Sequence, residues 1–284
     1  MNLDKLRTDW FITTGSTHNI CQDYVITGRT DQLVYTIVAD GCSSSPRSEI
    51  GAKFLALSAE SILLNYDAYS IRCFPYDKLG QLIIEKAATM RRALGVDFAL
   101  DATLGLLISD GKDIRSYMYG DGCLIVITKH YTYAHTGFYT LNAPYYLSYY
   151  LDRERHTSYV TMHEQQDYEY PRRYSRQYVR RADSVEWEHE SHDFNYYEPH
   201  EYYSPDWRDV QAVMITTDGL ESFRAPGQET LGFTAVVEQA TAFKNWQGAF
   251  LKRRFNKMLL EYNNNNIKPT DDLAAAVIIN EECI

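Results

Sequence analysis

Apolar residues along the chain fall into short continuous runs and into longer stretches with helical spacing. The runs at residues 24–27 and 33–39 predict two strands, the second of them buried. Residues 46–66 and 78–94 repeat their apolar positions at three- and four-residue intervals and predict two amphipathic helices. Two helices between groups of strands can serve as crossovers or as a layer that covers one sheet.

A second group of strands follows these helices. Two apolar runs flank Asp110-Gly111, a dipeptide that often connects the strands of a tight β-hairpin. A third apolar run, residues 123–128, follows Gly120-Asp121-Gly122. The pattern therefore favours a meander of antiparallel strands over parallel β-α-β units.

The C-terminal part of the chain returns to the same pattern. An apolar run that ends in Asp218-Gly219 predicts a strand, and residues 234–262 are mostly helical in pattern. A last apolar run, headed by Asp271 and Asp272, predicts a closing strand. Aspartate at the end of a core strand thus occurs repeatedly.

Residues 130–208, called here the tyrosine-rich segment, interrupt this pattern. They contain 16 of the 24 tyrosines and seven of the eight histidines, with few aliphatic residues. We interpret residues 1–284 as a single domain in which this segment is an insertion or lobe that carries some strands and packs through aromatic rings. Tyrosine and arginine are typical of interfaces, so the segment could bind a protein partner. A polar cover over one edge of the fold explains it equally well.

Composition and charge narrow the class of protein. The 284 residues are 45% hydrophobic and 23% charged, which suits one large globular domain. A net charge of −10 argues against a general basic face for nucleic acid, and neither a membrane span nor a signal peptide is evident. Five scattered cysteines without a CxxC pair are typical of reduced thiols. We therefore expect a cytoplasmic protein without nucleic-acid or membrane partners.

Five aspartates are predicted to lie at the ends of core strands, where carboxylates from several strands can meet. They are Asp23, Asp40, Asp121, Asp218 and Asp271. Asp-Gly is also a favoured turn dipeptide, which is the simplest explanation for Asp110 and an equal one for Asp121 taken alone. For the whole set this explanation is weaker, because unrelated turns need not place acids where sheet ends converge.

Converged carboxylates repel one another unless a cation neutralises them. Oxygen ligands at this density suit Mg²⁺ or Mn²⁺, and two such ions can clamp a phosphoryl group for in-line attack. Other phosphate chemistries fail on spacing: the chain has no GxxxxGK[ST] loop, and Cys42 and Arg47 are one residue too close for a cysteine phosphatase. Zinc could bind His189, His192 and His200, but these lack the HExxH spacing.

Seven short motifs resemble, in their order along the chain, the metal-dependent serine/threonine phosphatases of the protein phosphatase 2C type. They are CQDY, VADG, SEIGA, ATLGLL, YGDG, ITTDG and DDLAAAVI. The resemblance is closest to the bacterial branch whose first motif is a histidine followed by Cys-Gln-Asp, and it covers residues 13–279 except the tyrosine-rich segment. It implies an α+β fold of two packed antiparallel β-sheets flanked by helices.

The resemblance also implies a dinuclear site for Mn²⁺ or Mg²⁺, whose bridging hydroxide attacks phosphorus directly. Asp40 would bridge the two ions, the backbone carbonyl of Gly41 would bind one of them, and Asp121 would bind a weaker third ion. The remaining ligands, direct or through water, would be Asp23, Asp218 and Asp271.

The sequence departs from the family pattern at positions that bear on catalysis. His18 stands five residues before Asp23, where better-known members carry an arginine that grips the substrate phosphate. We expect His18 to take that role, although it lacks the two-pronged geometry of arginine and could instead simply pack. Cys42 stands where some members place a histidine that protonates the leaving group. Ser222 replaces an aspartate, which puts the third ion in doubt.

Three functions fit these observations. The leading hypothesis is a phosphatase of phosphoserine and phosphothreonine in protein substrates, with His18 and Asp40 as catalytic residues. The first alternative is a catalytically weak or inactive relative that binds phosphoproteins or a partner through the tyrosine-rich segment, and the retained carboxylates argue against it. The second is hydrolysis of a small phosphorylated metabolite at the same site.

Overall fold

The strands of the computed structural model, which describes residues 3–95, 99–164, 171–204 and 207–284, form two antiparallel sheets and a short ribbon. The larger sheet has the spatial order β1 (Leu6–Thr13), β14 (Leu273–Asn280), β11 (Val210–Thr216), β6 (Gly122–Thr128), β7 (Tyr131–Tyr139), β8 (Arg172–Arg181) and β9 (Glu188–Asn195). The smaller sheet has the order β10 (Glu201–Ser204), β5 (Ile114–Tyr119), β4 (Ala102–Ser109), β3 (Val34–Gly41) and β2 (Asp23–Arg29). The ribbon pairs β12 (Phe223–Arg224) with β13 (Lys268–Pro269).

Helices cover the outer face of each sheet. The helices are α1 (Ser48–Asn65), α2 (Ala68–Cys73), α3 (Tyr76–Leu94), α4 (Arg153–Glu164), α5 (Phe233–Thr241) and α6 (Phe250–Asn263). The first and third pack on the smaller sheet, and the last two pack on the larger sheet. Within the described residues, no helix has the length and apolarity needed to cross a membrane. The predicted α+β fold of two packed antiparallel sheets flanked by helices is confirmed.

The central strands are apolar at nearly every position because both of their faces are covered. In β14, Ala275 and Val277 face the helices on the larger sheet, whereas Ala274, Ala276 and Ile278 face the smaller sheet. All eight residues of β4 are buried in the same way. Continuous apolar runs therefore mark the strands in the sequence, and α1 and α3 form a layer on one sheet rather than crossovers.

The structure corrects the predicted meander. β4 and β5 pair as the expected hairpin, but β6 crosses into the larger sheet, where it pairs with β7 and β11. The crossing occurs at Gly120-Asp121-Gly122, where the glycines have φ angles of 98° and 138° that would strain a residue with a side chain. The helical pattern predicted over residues 234–262 is also divided in two, since residues 242–249 lie between α5 and α6.

The tyrosine-rich segment is built into both sheets. It supplies β7, β8 and β9 to the larger sheet, and β10 to one edge of the smaller sheet. Close to α4, the ring of Tyr145 packs against those of Tyr149, Tyr159 and Tyr196. The aromatic residues thus form a packed cluster of their own, and a partner at this segment stays a prediction.

Candidate active site

The five strand-end aspartates converge at one edge of the sandwich. β2 pairs antiparallel with β3, so that Asp23 at the start of one strand stands directly opposite Asp40 near the end of the other. In the larger sheet, the end of β11 lies between the starts of β6 and β14, which brings Asp218 towards Asp121 and Asp271. The fold itself therefore gathers carboxylates that are far apart in the sequence.

Burial and mutual repulsion make four of these five carboxyl groups hard to ionise. Burial, with further repulsion from neighbouring carboxylates, raises the pKa of Asp23 and of Asp121 to about 7. The same two causes raise the pKa of Asp40 and of Asp218 well above the usual range. Among the repelling groups around Asp40 is Asp271, so all five aspartates belong to one electrostatic cluster. A positive charge bound among these carboxyl groups would favour their ionised form and relieve the repulsion between them.

Two carboxylate oxygens in the cluster are buried without a hydrogen-bond partner. They are Oδ1 of Asp23 and Oδ1 of Asp218. The other oxygen of Asp23, Oδ2, accepts a hydrogen bond of 2.7 Å from the Thr217 hydroxyl. An unpartnered buried carboxylate oxygen is unfavourable, and a bound cation would satisfy both of these atoms.

The donor set fits a hard divalent cation. Among the described residues, no group of three or more His, Cys, Asp or Glu side chains lies close enough together to hold a metal ion by itself. Mg²⁺ is ordinarily held by only one or two carboxylates and keeps several waters, so a cage of protein ligands is not required. The unpartnered oxygens of Asp23 and Asp218 fit that mode of binding.

The glycines that follow Asp40 and Asp218 are needed for close packing rather than for a turn. Neither Gly41 nor Gly219 has a positive φ. A Cβ atom on Gly219 would lie 1.8 Å from the backbone oxygen of Asp272, and one on Gly41 would lie 2.6 Å from that of Ser48. Glycine at these two positions therefore lets the strand ends pack closely against neighbouring backbone. A role as turn residues does not explain this requirement.

Asp272 is a central residue of the site that the sequence did not single out. Its buried carboxylate accepts hydrogen bonds from the backbone N–H groups of Gly15, at 2.7 Å, and Gln22, at 2.6 Å. It thereby fixes both ends of the loop that leads into Asp23. Asp271 and Asp272 are adjacent, and the structure leaves the first partly exposed while it buries the second.

His18 lies in the same loop and contacts this pair of aspartates. Its Nδ1 atom is 2.9 Å from Oδ2 of Asp272 and 3.6 Å from Oδ1 of Asp271. The first contact has the distance of an ion pair but not the angle of a hydrogen bond. Burial lowers the pKa of His18, but the carboxylates of Asp272, Asp271 and Asp23 outweigh it, so that the pKa is raised. His18 thus lies at the carboxylate cluster, and its role towards phosphate stays a prediction.

Asp101 ties the tyrosine-rich segment to the loop that follows Asp40 and Gly41. Its buried carboxylate accepts hydrogen bonds from the hydroxyls of Ser45, at 2.8 Å, and Ser148, at 2.6 Å, and from the guanidinium of Arg155, at 2.9 Å. Its backbone carbonyl accepts from the N–H of Cys42 at 2.9 Å. The segment is therefore anchored beside the site rather than at a distant edge.

A cavity of about 380 Å³ opens beside Asp121 and Asp218. On its wall, Glu221 accepts a hydrogen bond from the hydroxyl of Thr136, and its charge is attracted by Arg176. The Arg176 guanidinium stacks 4.7 Å from the ring centre of Phe138. Glu221 thus places a carboxylate near Asp121. It stands one residue before Ser222, and Ser222 is the position at which the family pattern has an aspartate.

The histidines considered for zinc do not gather at one point. His200 contacts His135 instead, with 2.9 Å between Nε2 and Nδ1; His135 is buried and His200 is half-buried. Burial lowers the pKa of His135 to about 4 and that of His200 well below its usual value, which keeps both rings neutral. His192 is partly exposed and pairs with Glu190. The described residues thus give no support to a zinc site.

The sequence profile of Protein phosphatase 2C matches residues 15–274, a range that contains all five aspartates. The chain belongs to the protein phosphatase 2C family. The family predicted from the motif order is thereby confirmed. A search among curated protein sequences gave no significant match.

Solved structures similar to this protein phosphatase 2C chain include bacterial phosphatases. The serine/threonine phosphatase of S. agalactiae has a TM-score of 0.56 at 13% identity, covering 96% of this chain and 99% of that one. A serine/threonine phosphatase from Staphylococcus aureus has a TM-score of 0.54 at 11% identity, covering 96% and 94%. A C. elegans sex determining protein has a TM-score of 0.53 at 13% identity, covering 96% and 64%. At these identities the likeness shows a shared fold.

Proposed function

We propose that this protein is a metal-dependent phosphomonoester hydrolase that removes phosphate from phosphoserine and phosphothreonine in proteins. The observation that carries the proposal is the cluster of five converging carboxylates, two of which keep a buried oxygen without a partner. Membership of the protein phosphatase 2C family supports the reaction class. The bacterial serine/threonine phosphatases of similar fold support the substrate class.

The site would hold two Mn²⁺ or Mg²⁺ ions and, more weakly, a third. Asp40 and the backbone carbonyl of Gly41 would help to hold the pair, and Asp121 with Glu221 nearby would help to hold the third. The other ligands would be Asp23, Asp218 and Asp271. When bound, the ions would neutralise the carboxylates and act as Lewis acids on water and on the phosphoryl group.

The chain's own residues orient these groups. The Thr217 hydroxyl fixes one oxygen of Asp23 and leaves the other oxygen free to bind an ion. Asp272 holds Nδ1 of His18, which leaves Nε2 as the atom that can donate to a substrate phosphate. The raised pKa of His18 favours the imidazolium form, and a charged donor binds phosphate more strongly than a neutral one.

Hydrolysis of p-nitrophenyl phosphate and of a phosphothreonine peptide, each with Mn²⁺, Mg²⁺ or EDTA, tests the proposal. We expect turnover with metal and none with EDTA. Asp40→Asn should reduce kcat/KM at least about a hundredfold, the scale of losing one electrostatic group from an active site. Asp31→Asn is the matched control, because Asp31 is exposed at the opposite end of the same strand pair.

The other results would each favour a different function. Metal binding in calorimetry without turnover of either substrate would overturn the hydrolase proposal and support a phosphoprotein-binding module. Turnover of a small phosphorylated metabolite with no turnover of phosphopeptides would support the metabolite alternative. Equal activity of Asp40→Asn and wild type would contradict a dinuclear metal site that includes Asp40.

A further inference from the structure

Three cavities adjoin one another on the surface that begins at the carboxylate cluster. The first, of about 380 Å³, contains Asp121 and Asp218 and shares Arg224 and Thr270 with a second of about 360 Å³. The second shares Lys268 with a third, of about 500 Å³, that reaches α6. Because neighbouring cavities share lining residues, they lie side by side in a row that leads away from the site, and this row is called the groove here.

Two cations stand side by side along this groove. Arg224 on β12 lies directly opposite Lys268 on β13 in the antiparallel ribbon, and both side chains are exposed. Like charges directly opposite each other destabilise a strand pair. Neither cation forms an ion pair with any residue in the described part of the chain, although the chain as a whole carries a net charge of −10.

The repulsion between two exposed cations is modest, but nothing in the ribbon requires it, so the arrangement is informative about binding. An acidic protein has many carboxylates that could neutralise Arg224 and Lys268, yet the ribbon presents both to the groove. An anionic ligand that lies in the groove would relieve their repulsion and gain two charge-assisted contacts.

We propose that this groove binds the substrate polypeptide in extended form and that Arg224 and Lys268 select acidic side chains close to the phosphorylated residue. The proposal rests on the phosphatase function proposed above and adds a substrate class to it. A cavity of this size is roughly 7 Å across, and an extended chain advances about 3.4 Å per residue. The cations would then meet Asp or Glu side chains about two to four residues from the phosphorylated one.

The test compares phosphothreonine peptides that differ only at these flanking positions, with Glu in one peptide and Gln in the other. Two exposed ion pairs correspond to roughly a threefold to tenfold preference for the Glu peptide in kcat/KM, expressed mainly in KM. The preference should disappear in the double variant Arg224→Gln/Lys268→Gln. It should also disappear at about 1 M salt, where the screening length falls to about 3 Å.

Two controls separate the groove from the rest of the molecule. The double variant Lys78→Gln/Arg92→Gln removes the same charge from exposed positions on α3 and should keep the preference for the Glu peptide. p-Nitrophenyl phosphate is too short to reach Lys268, so the loss for the groove variant should be much smaller with this substrate than with the Glu peptide. Equal loss with both substrates would mean that the ribbon supports the site itself, and would overturn the proposal.

Other outcomes keep this proposal separable from the phosphatase function. If the wild-type protein hydrolyses both peptides equally well, the phosphatase function stands and the groove proposal is overturned. If it hydrolyses nothing, fluorescence anisotropy of the labelled Glu peptide with wild type and with the groove variant decides the matter. Weaker binding by the groove variant than by the wild type would support the groove proposal, and equal binding would refute it.

Discussion

The hairpin at Asp110-Gly111 and the strand end at Asp218-Gly219 use the same dipeptide in opposite environments. Asp110 accepts hydrogen bonds from the N–H groups of Lys112, at 2.9 Å, and Asp113, at 3.2 Å, and from the guanidinium of Arg72, at 2.8 Å. Burial raises its pKa, but these contacts outweigh burial and leave the pKa lowered. Asp218 has a buried oxygen without a partner and a pKa well above the usual range.

The glycines differ in the same way. Gly111 has a φ of 83° and serves the turn. Gly219 has no positive φ, but there is no space for a Cβ atom against Asp272. In the turn, the surrounding residues satisfy the aspartate, whereas at the strand end they leave it unsatisfied and hold it tightly in place. Unsatisfied polar groups held rigidly are characteristic of functional sites, where stability is given up for activity.

The largest expected difference is between Asp218→Asn and Asp110→Asn. Asp218→Asn should lower kcat/KM at least about a hundredfold, yet stabilise the metal-free protein by roughly 1–2 kcal/mol, because it removes a repelling buried carboxylate. Asp110→Asn should keep activity and cost roughly 1 kcal/mol, because it removes the ion pair with Arg72. Kinetics with Mn²⁺ and thermal unfolding in EDTA measure the two effects, and destabilisation by Asp218→Asn in EDTA would contradict the comparison.

The two glycines should differ by a smaller amount. Gly219→Ala places a methyl group 1.8 Å from a backbone oxygen and should cost about 3 kcal/mol, with loss of activity as Asp272 is displaced. Gly111→Ala must adopt a positive φ and should cost about 1 kcal/mol without affecting turnover. Denaturant unfolding gives both values. Equal costs would contradict the close packing of Gly219 against the backbone of Asp272.

The last expected effect is a pH dependence in the metal-free protein. The folded-state pKa of Asp121, about 7, lies above its unfolded value, so its favourable contribution is complete below pH 4 and is lost as pH rises through 7. Asp121→Asn should therefore raise the unfolding temperature in EDTA at pH 8, and raise it less at pH 5. An effect that is independent of pH would show that burial and neighbouring carboxylates do not raise the pKa of Asp121. The lowered pKa of His135 gives stability the opposite pH dependence. Because His135 is present in both proteins, its contribution cancels in the difference between the variant and the wild type.

The sequence predicted the elements of the fold that depend on local pattern. Apolar runs marked β3, β4, β11 and β14 because strands covered on both faces cannot tolerate polar residues in their interior. Aspartates at the ends of these runs were visible for the same reason. The predicted convergence followed from strand ends alone, without knowledge of the pairing.

The sequence could not predict features that depend on pairing between distant segments. Asp272 is separated from Gly15 by more than 250 residues, and nothing local distinguishes it from the neighbouring Asp271. Arg176 and Glu221 reach the same cavity from different segments. The passage of β6 into the second sheet depends on which strands it meets, and an Asp between two glycines is compatible with a turn or a crossing.

The carboxylate cluster draws its residues from both sheets and from the connection between them at Asp121. Asp23 and Asp40 belong to the smaller sheet, Asp218 and Asp271 lie at strand ends of the larger sheet, and Asp121 lies on the strand connection between them. The proposed ion, held by donors from both sheets, would cross-link the two sheets at the open edge of the sandwich. Its contribution to folding would grow with the logarithm of free metal concentration. Metal supply would then set how firmly the two halves of the molecule are joined, as well as how fast it works.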